Sequence, residues 1–396
     1  MKNQKKIIQC DICEKKKLQK VFDLKSFPLT GIYLKKINKL DYFDNTFSIC
    51  KNCGHGQLIN QIDPVLLYKK TYSHRTSQSP LAVQINKDFL DKLKKIIKDK
   101  KFKCILEVGC NDLYLTNKLK KYSNKIIGTD PIWKNNITKV NKKISVVGGF
   151  INEKETLENI KELGGDKIDL VISSHTFEHV DNVKNSLKKI SHMVSDNCIF
   201  VIETPSLDSI IRNGHFDQIF HQHLHYFSES SIKKLTEEIN CSLVDILYNY
   251  QIWGGNVMYV FSKNRNKSKV KINSKNYFKV SEIKHKYKKF QDDCKNKIKY
   301  LKEQRIKIIG FGAAQMMPVL SYHSKSDFNF LHKLYDDNIY RQNKYLALIN
   351  KKITKTNVKE IKKSFVLITA NEMCRPIIKR LLPLNPKRII TWYTDI

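Results

Sequence analysis

Arginine is scarce in this chain. Of 72 basic residues only eight are Arg, and with 38 acidic residues the formal net charge is +34. Such an excess invites a nucleic-acid reading, because Lys and Arg release counterions from phosphates. Specific readers of bases and phosphates depend on the planar guanidinium fork, however, and here the charge is almost all Lys, spread along the whole chain. No nucleic-acid partner is therefore expected, although a basic surface suits a phosphorylated small substrate. Runs of 18 apolar residues are absent, and so is a charged, apolar, small-residue leader at the start. Neither a membrane span nor secretion is expected, which makes a cytoplasmic location the default. Pro (9) and Gly (14) are few against 41% hydrophobic residues, which excludes a low-complexity or disordered chain. At 396 residues, two or three domains are expected.

What the chain does have is cysteine in a pattern. Cys10, Cys13, Cys50 and Cys53 make two C-x-x-C pairs with 36 residues between them, and the other six cysteines are scattered singly. Two such pairs near one terminus predict a tetrahedral zinc site of four thiolates, with a small subdomain filling the gap. His55, just past the second pair, is an alternative ligand.

After the polar stretch "SHRTSQSP" and a helix-like segment at 82–100, apolar runs alternate with helical periods. "KCILEVG", "KIIGTD", "ISVVGGF", "IDLVISS" and "NCIFVIETP" read as five strands of a parallel, doubly wound sheet. "SLVDILYNYQIW" and "NVMYVFSK" add an antiparallel pair at its edge, the shape expected of a class I methyltransferase. A polar linker at 263–276 and a long helix at 277–304 lead to a second α/β unit, carried by "RIKIIGFGAA", "LHKLYDD", "FVLITA" and "KRIITWY". The expected fold class is α/β in three parts: a zinc-binding subdomain at 1–70, a methyltransferase sheet at 71–263, and a linker, helix and Rossmann-like domain at 264–396.

"ILEVGCNDLYL" is a strand, a tight turn and a helix start. Glu107 and Gly109 fall at the carboxyl end of the first strand, where α/β sheets bind ligands. Gly109 permits close backbone approach, and Glu107 can pair with a cationic amino group. Asp130 ends the second strand, where an acid accepts both hydroxyls of a ribose. The spacing of about 20 residues from turn to acid fits a dinucleotide fold as well, but the three-glycine signature is missing. Asn111, Phe150 and His175 complete the candidate set for S-adenosylmethionine. His179, beside His175, reads either as a wall of that site or as a helix-packing residue.

"FDQIFHQHLHYFS" places His221, His223 and His225 at alternate positions. On a strand they would share a face and could imitate a metal site; on a loop they would not. Within 216–228 only Asp217 offers a carboxylate to complete such a site, and the four cysteines already provide for a metal.

"CDIC", "CKNCGHGQL", "DPVLLYKKTY", "LEVGCNDLYL", "FHQHLHYFS", "WGGNVMYV" and "LYDDNIYRQNKY", in this order, resemble the three-domain sugar C-methyltransferases. The resemblance implies structural zinc, S-adenosylmethionine as cofactor and a nucleotide-linked keto sugar as small-molecule substrate. It also implies a C-terminal domain that helps hold the substrate's nucleotide. In that family the His-rich segment reads His-Glu-His and supplies the general base, which places the base at His223 and puts Gln222 where a Glu is usual. Tyr72 falls near a tyrosine that the family directs into the substrate pocket. A C–H beside a ketone is too weakly acidic to react unaided, so a base needs donors for the enolate oxygen. His221 and Tyr226 are the candidates, and His225 is expected to face solvent. An O- or N-methyltransferase is the alternative, and a zinc-containing nucleic-acid binder a more distant one. "GFGAAQMMPVLSY" departs from the family's turn by lacking its Lys and extra Gly.

Overall fold

The computed structural model describes residues 4–37, 42–67, 75–134, 136–250, 255–264, 270 and 278–392. Tyr72 lies outside them, as does most of the expected linker.

The N-terminal part is built on antiparallel strands β1 (Leu18–Pro28), β2 (Tyr42–Cys50) and β3 (Gly56–Leu58). Register shifts in the β1–β2 pairing between Lys20 and Phe22 and between Leu24 and Phe27 break the strict alternation. Extra residues on β1 let Val21, Phe22, Leu24 and Phe27 all reach the core.

The central sheet follows from its strands. β4 (Cys104–Val108) and β5 (Ile126–Asp130) are buried throughout, as strands covered on both faces must be. With β6 (Ile144–Gly148), β7 (Ile168–Ser174) and β8 (Ile199–Pro205) they are parallel. The His-rich segment follows and contributes β9 (His225–Tyr226), after which β10 (Ser242–Asn249) and β11 (Asn256–Ser262) complete the sheet. The order is β10-β11-β8-β7-β4-β5-β6, with a short antiparallel edge strand at Thr138–Lys139 beyond β6 and β11 antiparallel to both neighbours. This is the class I methyltransferase topology that the apolar runs predicted. Helix α1 (Pro80–Ile97) begins on Ser79, whose side chain accepts from the Ala82 amide, with Pro at the first turn. It buries Ile85, Phe89, Leu90, Leu93 and Ile97.

β9 does not join that sheet. It pairs antiparallel with β3, His225 opposite Gln57 and Tyr226 opposite Gly56, and so becomes a fourth strand of the N-terminal sheet. The first two parts are thus joined by main-chain hydrogen bonds.

The third part opens with α2 (Val280–Glu303), close to the expected helix. Its Tyr287 stacks on Phe22 of β1 with ring centroids 3.6 Å apart, so the helix packs on the N-terminal sheet. Strands β12 (Ile308–Phe311), β13 (Lys333–Tyr335), β14 (Ile353–Thr354), β15 (Phe365–Ile368) and β16 (Arg388–Ile390) form a parallel sheet in the order β14-β13-β12-β15-β16. The short β14 carries no apolar run long enough to be read from the sequence. Among the described residues no helix is long and apolar enough to cross a membrane.

Candidate active site and metal centre

The four cysteines converge. Cys10 Sγ lies 3.5 Å from Cys53 Sγ and Cys13 Sγ 3.5 Å from Cys50 Sγ, with all four buried and mutually within 4.8 Å. Each pair sits in the same kind of turn: the residue after the second cysteine, Glu14 or Gly54, is left-handed at φ 55° or 71°. Its N–H donates to the carbonyl of the first cysteine, at 2.8 Å for Glu14 and 2.9 Å for Gly54. Four sulfur donors closing a tetrahedron fit structural Zn²⁺, with no position open for chemistry. His55 is not among them. It is fully buried, and its Nε2 lies 3.1 Å from Nδ1 of His225.

At the carboxyl edge of the central sheet, Gly109 has φ 82°, and a Cβ there would stand 1.9 Å from Thr176 Oγ1. Only glycine lets the turn pass the loop after β7. Asp130 receives the Asn111 amide on Oδ2 at 2.9 Å and the Ile132 amide on Oδ1 at 3.0 Å, and each oxygen keeps a lone pair for a diol. Glu107, on the adjacent strand end, accepts from the Thr116 hydroxyl. Burial pushes its carboxyl up to about 8, opposed by the Thr116 bond and helped by Asp130. A cation fits there, because it would relieve a buried acid. An acid for an amino group beside an acid for a diol matches the two ends of S-adenosylmethionine. The Asn111 side chain instead holds the turn, its Oδ1 accepting the Thr76 and Asp112 amides at 3.1 and 2.9 Å. Phe150 follows β6, its amide donating to Glu153 at 2.9 Å.

His175, left-handed at φ 54°, ends β7. Its Nδ1 lies 3.1 Å from Glu178 Oε1 and its Nε2 3.0 Å from Asn256 Nδ2. Burial opposes charge on this ring, but the bond to Glu178 and the charges of Glu178 and Glu203 outweigh it and raise the pKa.

The three histidines of the His-rich segment go three ways. Residues 221–222 form a turn and regular pairing begins only at His225, so alternation does not place them on one face. His221 is buried against the N-terminal sheet, Nδ1 3.1 Å from Asn45 Nδ2 and Nε2 3.2 Å from the Phe27 carbonyl. With both nitrogens engaged there, it is not the enolate donor expected. His225 does not face solvent: it is 1% exposed, between His55 and the Val180 carbonyl, 2.9 Å from Nε2. Tyr226 is buried, its hydroxyl accepting the Phe220 amide at 3.1 Å and its ring edge-on to Phe47. That bond holds the turn in place.

His223 alone turns toward the end of β7. It is 3% exposed, with its ring centroid 4.9 Å from that of His179. Burial depresses its pKa well below the ordinary value, and His179 and His175 add to this. Glu178, His179 and His223 bring one ligand atom each within 4.8 Å of one another. His179 Nδ1 donates to the Gln222 carbonyl at 2.7 Å, which ties the two loops together. Glu178 is the residue that sequence reasoning did not select. It is 1% exposed, and its Oε2 has no hydrogen-bond partner. Only its place at a strand end, next to His175, signalled it.

Gln222 also has a defined task. Its Oε1 accepts from the Thr30 hydroxyl at 3.0 Å and its Nε2 donates to the Thr30 carbonyl at 3.2 Å. This pairing needs an acceptor and a donor on one side chain, so an amide fits where a carboxylate does not. In the C-terminal part the departing turn is held by other means. The Ala313 amide donates to Asp336 Oδ2 at 2.8 Å, Arg341 reaches the same oxygen at 3.2 Å, and the Tyr33 hydroxyl donates to the Ala313 carbonyl at 3.0 Å.

The chain is similar to known methyltransferases. A family model described as "Methyltransferase domain" matches residues 81–246, and one described as "Putative zinc binding domain" matches residues 10–68. C-methyltransferase NovU of Streptomyces niveus is 24% identical over 257 residues, 64% of this chain. The likeness spans 60% of that protein's length. N-methyltransferase NodS from Bradyrhizobium japonicum, solved with S-adenosyl-L-homocysteine, is 15% identical with a TM-score of 0.33, over 46% of this chain and 88% of that one. The 1,6-didemethyltoxoflavin-N1-methyltransferase of Burkholderia thailandensis is 12% identical with a TM-score of 0.35, over 46% and 78% of the two chains. The chain thus carries a zinc-binding domain first, a class I methyltransferase domain behind it and a parallel α/β unit last, and is similar over 64% of its length to a C-methyltransferase.

Proposed function

We propose that the protein is an S-adenosylmethionine-dependent methyltransferase that C-methylates a nucleotide-linked keto sugar, with His223 as the base that generates the enolate. The observation carrying this reading is the grouping of a buried His223, whose burial favours the neutral ring, with a partnerless carboxylate oxygen of Glu178. A neutral imidazole can take the proton beside the ketone, and the imidazolium that forms then meets the Glu178 carboxylate in a low-dielectric site. His175 holds the other oxygen of Glu178, and the Gln222 carbonyl orients His179. Bound S-adenosylmethionine supplies the methyl group. Glu107 and Asp130 are the groups proposed to hold its amino and ribose ends.

Proton removal can be read separately from methylation. With the keto sugar and a cofactor analogue lacking the methyl, the enzyme should exchange the hydrogen beside the ketone with solvent deuterium. His223→Gln should lose exchange and methylation while cofactor binding survives, because Gln hydrogen-bonds but is not basic. Methylation by His223→Gln at the wild-type rate would overturn the assignment. Methylation without exchange in either protein would point to an oxygen or nitrogen acceptor.

A further inference from the structure

We propose that Glu178, His179 and His223 form a second metal site, distinct from the four cysteines, for a borderline divalent ion of the zinc and cobalt kind, and that its occupation switches the base off. The one carboxylate of the His-rich segment, Asp217, is not in this group; the fold brings Glu178 from the loop after β7 instead. Among the described residues, these three and the four cysteines are the groups whose donor atoms gather closely enough to hold an ion. Two imidazoles and a carboxylate suit zinc, cobalt or nickel, and such sites leave a position open to water or substrate.

The surroundings of each donor match what a metal ligand requires. A ligating imidazole usually gives its other N–H to a carbonyl or carboxylate, which fixes the ring and leaves one lone pair free. The His179 ring is held in this way through Nδ1 by the Gln222 carbonyl at 2.7 Å. His223 bonds the Gln218 backbone. Glu178 is oriented by His175 on Oε1, while Oε2 is buried without a partner. A buried carboxylate oxygen with nothing to accept from is costly, and a cation removes that cost. The donors, within 4.8 Å of one another, need to close to roughly 3.3 Å for tetrahedral zinc at its usual bond lengths. The two loops that carry the donors are already tied through Gln222.

The inhibitory consequence rests on the proposed role of His223, since a lone pair given to a metal cannot take a proton. The binding claim does not. Protein whose cysteine site is filled with zinc should take up one further equivalent of Co²⁺, giving weak visible bands without the intense thiolate charge-transfer absorption of a sulfur site. Glu178→Gln and, at the more exposed position, His179→Asn should each weaken that uptake at least about tenfold. Far-ultraviolet circular dichroism identifies a variant that has failed to fold. No second equivalent, thiolate bands, or undiminished uptake in both folded variants would each overturn the site. In the deuterium-exchange assay, saturating Co²⁺ should abolish exchange and chelation restore it. Uptake at the site with exchange unaffected would retain the metal site and refute its inhibitory role, whereas loss of exchange in His223→Gln without metal tests the base alone.

Discussion

Replacing Gln222 by Glu puts two carboxylate oxygens where an amide now serves Thr30 twice. One oxygen can still accept from the Thr30 hydroxyl, now 3.0 Å away, but the other faces the Thr30 carbonyl across the present 3.2 Å. The loss is one hydrogen bond, about 0.5–1.5 kcal/mol net, plus the cost of opposing two acceptors, about 1–3 kcal/mol when buried. Gln222 is half-buried, so the lower ends apply and the sum is about 1.5 kcal/mol. A protonated carboxyl donates to the Thr30 carbonyl and avoids that loss, so the new group's folded pKa should rise by about 1 unit from roughly 4.3, to about 5.4. A group with a raised folded pKa contributes its stability below the unfolded pKa and loses it as pH rises through the folded one. Gln222→Glu should therefore match wild type near pH 4, lose stability between about pH 4 and 6, and run parallel below wild type from there upward. Gln222→Met, which loses both bonds, should be destabilised by a similar amount at every pH. Urea unfolding at fixed pH values measures all three proteins. A Gln222→Glu deficit that does not shrink toward pH 4, or no deficit at pH 8, would refute the reasoning.

Two further outcomes are expected. Protein purified without chelator and then dialysed should retain one zinc per chain by elemental analysis, and Cys50→Ser should lose both the metal and part of its thermal stability, because four-thiolate zinc contributes directly to folding. Zinc retained in full by Cys50→Ser would remove that residue from the site. Cofactor binding at pH 7 should release a proton, because burial keeps Glu107 protonated up to about 8 and the arriving ammonium group favours the ionised form. Calorimetry in two buffers of different ionisation enthalpy reads the proton count, and affinity should rise as pH approaches 8. Heats independent of buffer would show that Glu107 does not meet the cation.

The architecture was legible because its signals are local. A strand buried on both faces has to be apolar along its length, as "KCILEV" and "KIIGTD" are, and a zinc knuckle has to space its thiolates by two residues. The positions of the Gly109 turn and Asp130 at strand ends were legible for the same reason, since one βαβ unit places both. The fates of the polar residues were not local. His221, His223 and His225 stand at even spacing, yet only the chain's turn at 221–222 and the pairing of β9 with β3 decide that the first enters the N-terminal sheet, the second the site and the third a buried contact with His55. Gln222 looked like a missing acid until Thr30, 192 residues away, supplied the acceptor and donor that an amide answers. Glu178 acquires its place beside His223 from the docking of two loops, tied by the 2.7 Å bond from His179 to the Gln222 carbonyl. Periodicity and spacing determine which segments are strands, turns and metal knuckles, because they depend on neighbours along the chain. Which partner a buried polar group must find is decided only by the packing of distant elements, because there the cost of leaving it unpaired is incurred.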